Sequence, residues 1–156
     1  EWEIASRAGT SLDFSLDGRQ PEGGDIDSQY HHSCDSSEKM FVGSTLTLNE
    51  SFWYCGNAEA SQRVGGKVPN GYGLYDMQGN VAEWTNDVIQ MDGAFAPLSG
   101  ENPWSWTEQV DYALVRGGAF TMIPIELSNN QVYADITPTD IHLNFIGLRF
   151  VRRLPY

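Results

Sequence analysis

The sequence predicts a single α+β domain with few helices, short strands and extensive loops. Its 156 residues suit one domain that buries about two thirds of its unfolded surface. Five Trp, seven Tyr and seven Phe supply large apolar side chains for a core. The apolar segments are short, and they are separated by long stretches rich in Gly, Ser, Asp and Pro.

Composition argues against two classes of function. The net charge is −12, only 19% of the residues are charged, and Arg152-Arg153 is the only basic cluster. Nucleic-acid binding is therefore not expected, because it depends on Lys and Arg contacts to phosphates. No apolar run approaches the ~18 residues of a membrane span, and no signal peptide is visible. An acidic surface agrees with a calcium-rich or extracellular setting without requiring it.

The first predicted element is a helix at the start of the chain. An apolar face at helical spacing includes Trp2, Ile4, Ala5 and Ala8, and Gly9 stands where a C-capping glycine is typical. Residues 10–49 are then predicted to be a long surface loop, because they are rich in Gly, Ser, Asp and Pro.

Two strands are predicted in the second half of the chain. The β-rich segment 112–115 predicts a buried strand ending at Arg116, after which Gly117-Gly118 permits a tight bend. The apolar segment 145–153 predicts the last strand, and it contains Arg149. Because a buried charge is rarely unpaired, a carboxylate or main-chain carbonyls should meet this guanidinium.

Cys34 and Cys55 are the only cysteines, and two states are open to them. A disulfide would close a loop of about 20 residues and contribute roughly 3 kcal/mol if unstrained. The alternative is a pair of reduced thiols in a cytosolic chain.

The segment from Val68 to Trp84 combines turn formers, aromatic residues and two carboxylates. Gly79 suits a positive φ, and Asn80 tolerates the same region. If the loop curls, Asp76 and Glu83 can face one point together with intervening carbonyls. Such an oxygen-only set with two negative charges suits Ca2+. The alternative is a hairpin turn at residues 78–80 with solvated carboxylates at its shoulders.

The motif Pro-Asn-Gly-Tyr-Gly-Leu-Tyr-Asp-Met-Gln-Gly-Asn-Val-Ala-Glu-Trp, at residues 69–84, resembles the signature of the formylglycine-generating enzyme family, also called sulfatase-modifying factors. Three further segments resemble the family in the expected order: residues 1–10, 115–120 and 147–151. The resemblance implies a C-type-lectin-like fold over residues 1–156. It also implies an N-terminally truncated domain, whose open side the lost segment or another chain should cover.

The resemblance also implies a set of site residues. A structural Ca2+ would be held by the side chains of Asp76 and Glu83 and the carbonyls of Gly79 and Val81. In relatives that act as display or binding modules the segment 121–144 is the variable surface, and its amides, acids and aromatic residues form a plausible recognition face. The residues of this predicted ligand face are Asn129, Asn130, Gln131, Tyr133, Asp135, His142 and Asn144. The alternative is an ordinary polar loop.

The reactive sulfurs of the family's oxidases are absent at their expected positions. Those enzymes use two cysteines about four and nine residues after the Gly-Gly pair, and such thiolates suit Cu(I). Here the two positions are Met122 and Leu127. The predicted function is therefore a non-catalytic, calcium-stabilised module that binds a protein or a small molecule or acts as a scaffold, in a bacterial periplasmic or secreted setting. The alternatives are a formylglycine-generating oxidase acting on a sulfatase cysteine and a structural subunit of a larger assembly.

Overall fold

The computed structural model describes residues 1–11, 33–34, 47–89, 112–135 and 143–152. Within these ranges short helices accompany a small mixed sheet, which is the α+β organisation predicted from the sequence. The helical elements are α1 (Trp2–Arg7), α2 (Leu48–Ser51) and a 3₁₀ helix (Pro124–Leu127). The strands are β1 (Ala82–Ile89), β2 (Tyr112–Arg116), β3 (Tyr133–Asp135) and β4 (Ile146–Gly147).

The four strands form one sheet in the order β3-β2-β1-β4. Strand β2 is antiparallel to both β1 and β3, whereas β4 runs parallel to β1. In this register Glu83 lies opposite Arg116 on one side and Gly147 on the other. The sheet therefore brings the end of the 68–84 motif beside two segments that are distant in sequence.

Helix α1 is confirmed, but its contacts with the rest of the protein differ from the predicted ones. Ile4 is 70% exposed, so the predicted apolar face does not dock as a whole. The helix instead attaches through hydrogen bonds from Trp2 to Glu83 and from Arg116 to Glu3. Ala8, with a φ of 48°, is the C-cap in the left-handed region, and Gly9 follows with a φ of 87°.

Helix α2 lies where the sequence predicted the end of a loop. It begins with a capping box, in which the Thr47 hydroxyl accepts from the Glu50 amide and the Glu50 carboxylate accepts from the Thr47 amide at 2.9 Å. These backbone and side-chain hydrogen bonds from Thr47 lower the pKa of Glu50. The predicted loop is therefore wrong at its end. The sequence does contain the local signal for this helix, since Thr47 and Glu50 have the Thr-X-X-Glu spacing of a capping box.

A hydrophobic cluster joins α2 to the 3₁₀ helix. Its buried members are Leu48, Phe52, Tyr54 and Leu127, and Cys55, Met122 and Ile125 pack against it. The core thus links the segment after α2 to the segment that follows the Gly117-Gly118 bend.

The two predicted strands have different outcomes. Strand β2 occupies the predicted segment and ends at Arg116. The predicted strand at 145–153 is wrong in length, since pairing with β1 covers only Ile146 and Gly147. Beyond them Leu148 and Phe150 are 61% and 91% exposed, whereas the Arg149 side chain turns inward to bond with Glu83.

Cys34 and Cys55 form a disulfide with a Cα–Cα distance of 5.2 Å, which resolves the two states that the sequence left open. Among the described residues no helix is both long and apolar enough to cross a membrane. Most of the predicted loop at 10–49 and the ligand-face residue His142 lie outside the described residues.

Candidate functional site

The 68–84 loop is anchored at its start by Asn70, which is 4% exposed. Its side-chain amide donates to the carbonyls of Ala5 and Ser6 at 2.8 and 3.1 Å. Its side-chain carbonyl accepts from the amides of Tyr72 and Leu74. One buried amide therefore closes the Pro-Asn-Gly turn and attaches it to the end of α1.

The tight part of the loop contains three residues with left-handed backbone conformation. Asp76, Gly79 and Asn80 have φ values of 52°, 78° and 63°, which confirms the predicted positive φ at Gly79 and Asn80. Gly79 pairs with Trp53 in an isolated parallel bridge, and the Asn80 amide donates to the Trp53 carbonyl at 2.9 Å. The turn therefore packs against the segment after α2 and does not close a hairpin between two sheet strands.

The Asp76 carboxylate accepts a hydrogen bond of 2.7 Å from the Gly65 amide. Lys67 lies nearby, with its ammonium 3.7 Å from the centre of the Trp53 ring. Burial lowers the pKa of Lys67, and the charges of Asp76 and Glu50 oppose that shift. Asp76 thus bonds to the turn at residues 64–65.

Glu83 is the centre of a separate and more buried cluster. It is 5% exposed and accepts from the Trp2 indole at 2.8 Å. The Arg149 Nε donates to both carboxylate oxygens at 2.9 Å, and its Nη2 donates to one of them at 2.6 Å. The same Nη2 also donates to the carbonyls of Tyr75 and Asp76 at 2.9 and 3.3 Å. This confirms that Arg149 meets both a carboxylate and main-chain carbonyls.

The predicted calcium ligands have the chemistry that the ion requires, but Glu83 is already engaged by other groups of the protein. Asp76, Glu83 and the carbonyls of Gly79 and Val81 are hard oxygen donors, as Ca2+ requires. Yet Glu83 already accepts four hydrogen bonds, and its charge is balanced by Arg149. Within the described part of the chain, no cluster of three or more His, Cys, Asp or Glu side chains could hold a metal. Calcium binding stays a prediction, and Glu83 does not fit as a ligand in this arrangement.

A second polar cluster attaches α1 to the segment after the 3₁₀ helix. Arg116 donates to Glu3 at 2.6 Å and to the Asn129 carbonyl at 3.0 Å. The Ser6 hydroxyl donates to the Asn129 side-chain carbonyl at 2.5 Å. Burial by itself would raise the pKa of Glu3, but Arg7 and Arg116 outweigh it and hold the pKa below its ordinary value.

At the two positions where the family's oxidases have cysteines, this chain has Met122 and Leu127. Leu127 is 0% exposed and belongs to the core cluster, and Met122 packs against that cluster. Gly118, with a φ of 67°, lies so close to Leu127 that an added Cβ would be 2.6 Å from its Cδ2. The Cys55 amide donates to the Met122 carbonyl at 3.2 Å, which places the disulfide beside this segment.

The residues of the predicted ligand face occupy different environments. Asn129 is 0% exposed and bonded to Ser6 and Arg116, so it is not part of a surface. Asn130 and Asn144 are exposed, and Gln131 is half-buried. Tyr133 and Asp135 belong to β3, which is at the edge of the described sheet.

Sequence reasoning missed Ser6, Glu3 and Asn70 as residues that connect these elements, and it assigned Asn129 to a surface. Only Arg116 gave a signal, since a charge at the end of a buried strand requires a partner. The others look like ordinary polar surface residues until the fold buries them.

Comparison with known protein families identifies the class to which this chain belongs. The sulfatase-modifying factor enzyme 1-like domain, FGE-sulfatase, matches residues 1–154, so the chain belongs to this family. A formylglycine-generating enzyme of Thermomonospora curvata is 38% identical over 92 residues, which are 59% of this chain and 26% of that protein. Serine/threonine-protein kinase pkn1 of Chlamydia pneumoniae is 31% identical over 129 residues, which are 81% of this chain and 16% of that protein.

Two solved structures share the fold. PvdO from Pseudomonas aeruginosa superposes with a TM-score of 0.60 at 22% identity, covering 94% of this chain and 48% of that one. Treponema denticola variable protein 1 gives a TM-score of 0.55 at 22% identity, covering 73% and 41%. The chain thus spans less than half the length of each of these four relatives, and the two structures establish similarity of fold alone.

Proposed function

We propose that this chain is a non-oxidase member of its family, a binding or scaffolding module built on a C-type-lectin-like fold. The observation that carries the proposal is the environment of Met122 and Leu127. A copper oxidase needs thiolates that can reach metal and substrate. Leu127 provides a fully buried hydrocarbon side chain in one of those positions.

The cysteines that the chain does have support the same proposal. Both are consumed in the Cys34–Cys55 disulfide, so neither is a thiolate in the folded protein. The bond lies beside Met122, whose carbonyl accepts from Cys55. A rearranged oxidase site would have to form beside Met122 after reduction of the disulfide. An assay of the oxidised and the reduced protein tests this alternative directly.

The proposed recognition face is the exposed part of the segment after the 3₁₀ helix. Asn130 is on this surface, and Asn144 is the exposed member of the face beside β4. Amide side chains offer both donors and acceptors to a protein or small-molecule ligand. Buried Asn129 would act beneath this face by fixing its backbone. The small fraction of the pkn1 kinase that this chain matches agrees with use as one module of a longer protein.

We also place the protein outside the cytoplasm, in the periplasm or secreted. Disulfides persist in oxidising compartments and are rare in the cytosol. The Cys34–Cys55 bond supports this location.

The test of the main proposal is an oxidase assay with a sulfatase-type cysteine peptide, Cu(I) and oxygen. The protein is assayed as purified and after reduction of the disulfide, beside an active formylglycine-generating enzyme as positive control. We expect no aldehyde product from either form of this chain. Turnover by either form, abolished by Cys55→Ser, would establish the oxidase alternative.

A structural-subunit role is the second candidate, because Leu148, Phe150 and Val151 expose 61%, 91% and 78% of their surface. Neighbouring exposed apolar residues that form a patch are typical of interaction surfaces. Light scattering coupled to size-exclusion chromatography tests this role. A monomeric mass for the full-length native protein would contradict self-assembly through this segment.

A further inference from the structure

We infer that Arg149 is the built-in cation of the 75–83 loop, so that the loop is ordered by a guanidinium where a calcium ion was predicted. This inference concerns how the loop is held, and it stands whether or not the chain is an oxidase. Its basis is the contact between one Arg side chain and three oxygen-bearing groups of the loop, those of Tyr75, Asp76 and Glu83.

The guanidinium uses the same kinds of oxygen that a calcium site would use. It bonds both carboxylate oxygens of Glu83, at 2.6 to 2.9 Å, and the main-chain carbonyls of Tyr75 and Asp76, at 2.9 and 3.3 Å. Planar, bidentate pairing of Arg with a carboxylate is a strong and geometrically specific form of charge-assisted hydrogen bonding. The loop thus closes around a side chain of its own protein.

Charge balance supports the same conclusion. One guanidinium neutralises the one carboxylate of Glu83, and the Trp2 indole supplies a further donor to it. Of the oxygens predicted to bind calcium, only those of Glu83 bond to Arg149. A Ca2+ bound to Glu83 at about 2.4 Å would lie only about 4–5 Å from the guanidinium, where like charges repel strongly in a partly buried site. Calcium and Arg149 therefore compete for Glu83.

The pair also connects parts of the chain that are far apart in sequence. Arg149 follows β4 and is separated from Glu83 by 66 residues and from Tyr75 by 74. Trp2 adds helix α1 to the same carboxylate across 81 residues. Helix α1 and the segment after β4 thus converge on Glu83, and Arg149 provides the positive charge that permits its burial.

Removal of Arg149 should convert the loop into one that responds to calcium. Arg149→Ala leaves a buried carboxylate beside two main-chain carbonyls, which are donors that Ca2+ prefers. The variant should therefore lose stability in chelator and recover part of it in calcium. The wild-type protein should respond to neither.

The experiment measures the melting temperature of three proteins, each in millimolar CaCl2 and in EDTA. The proteins are the wild type, Arg149→Ala and the matched control Arg152→Ala, which removes the same charge from an exposed position three residues away. We expect the wild type and Arg152→Ala to melt at the same temperature in both buffers. Arg149→Ala should melt roughly 6–20 °C lower in EDTA, and calcium should restore part of the loss.

Three outcomes would overturn the inference. One is a wild-type melting temperature that falls in EDTA. Another is calorimetric binding of Ca2+ to the wild type that Glu83→Gln abolishes. The third is an Arg149→Ala protein as stable in EDTA as Arg152→Ala. If Arg149→Ala does not fold, the two wild-type measurements decide, and Arg149→Lys tests whether charge alone maintains the loop.

Discussion

Gly79 should be among the least replaceable residues of the 68–84 loop, and Gly73 offers a matched control. Both residues are in the left-handed region, with φ values of 78° and 77°. A Cβ added at Gly73 meets nothing within 4 Å. A Cβ added at Gly79 would lie 2.3 Å from the Trp53 carbonyl oxygen. The two Gly→Ala variants therefore have the same free-energy cost for a left-handed alanine, but only Gly79→Ala brings a Cβ against the Trp53 carbonyl.

The size of the difference follows from what must move. The left-handed conformation costs about 1–2 kcal/mol for Ala in either variant. At Gly79 the Trp53 backbone must also retreat by roughly 1 Å to reach ordinary contact. Separation of the turn from Trp53 strains the 2.9 Å bond from the Asn80 amide to the Trp53 carbonyl, and any shift of the turn itself strains the 2.8 Å bond from the Gly79 amide to the Gly117 carbonyl. With about 1 kcal/mol for each weakened bond, Gly79→Ala should lose about 3–4 kcal/mol in total.

Chemical denaturation of both variants and the wild type measures these free energies of unfolding. Gly73→Ala should lose about 1–2 kcal/mol, and Gly79→Ala at least 2 kcal/mol more. If Gly79→Ala does not express as folded protein while Gly73→Ala does, the ordering is the same. Equal losses for the two variants would refute the argument, because they would show that the contact with Trp53 adds nothing to the backbone cost.

Two further predictions concern the polar contacts of α1. Asn129→Ala should lose about 1–3 kcal/mol in denaturant unfolding, because it leaves the Ser6 hydroxyl without its buried acceptor. Asn144→Ala, which removes an exposed amide, should lose about 0.5 kcal/mol or less. Similar losses would contradict a buried role for Asn129. Glu3→Gln should be less stable than the wild type by about 0.5–1 kcal/mol at neutral pH, a modest value because the Glu3 side chain is 43% exposed. Since the pKa of Glu3 is lowered from 4.5 in the folded protein, its contribution is complete above that pH and is lost as the pH falls through the folded pKa. The stability curves of the two proteins should therefore converge in acid, and a constant gap would contradict the ion pair with Arg116.

Much of this protein was determined by short-range sequence patterns. The left-handed turn at Gly79-Asn80 was predictable because few residue types tolerate that backbone region. Helix α1 was predictable from its local periodicity and strand β2 from its short β-rich composition. The replacement of thiols by Met122 and Leu127 followed from the family resemblance, by a count from the Gly-Gly bend. The need of Arg149 for an oxygen partner followed from the cost of an unpaired buried charge.

Only the tertiary structure decided which groups meet. Asp76 and Glu83 looked like one ion-binding pair in the sequence, but Asp76 bonds to Gly65 and Glu83 bonds to Arg149, 66 residues away. Asn129 looked like a surface amide, yet Ser6 reaches it across 123 residues. Local preferences restrict the backbone of each segment, whereas the partner of a buried polar group depends on how the sheet, α1 and the loops pack together. That packing brings together residues whose separation along the chain carries no signal of contact.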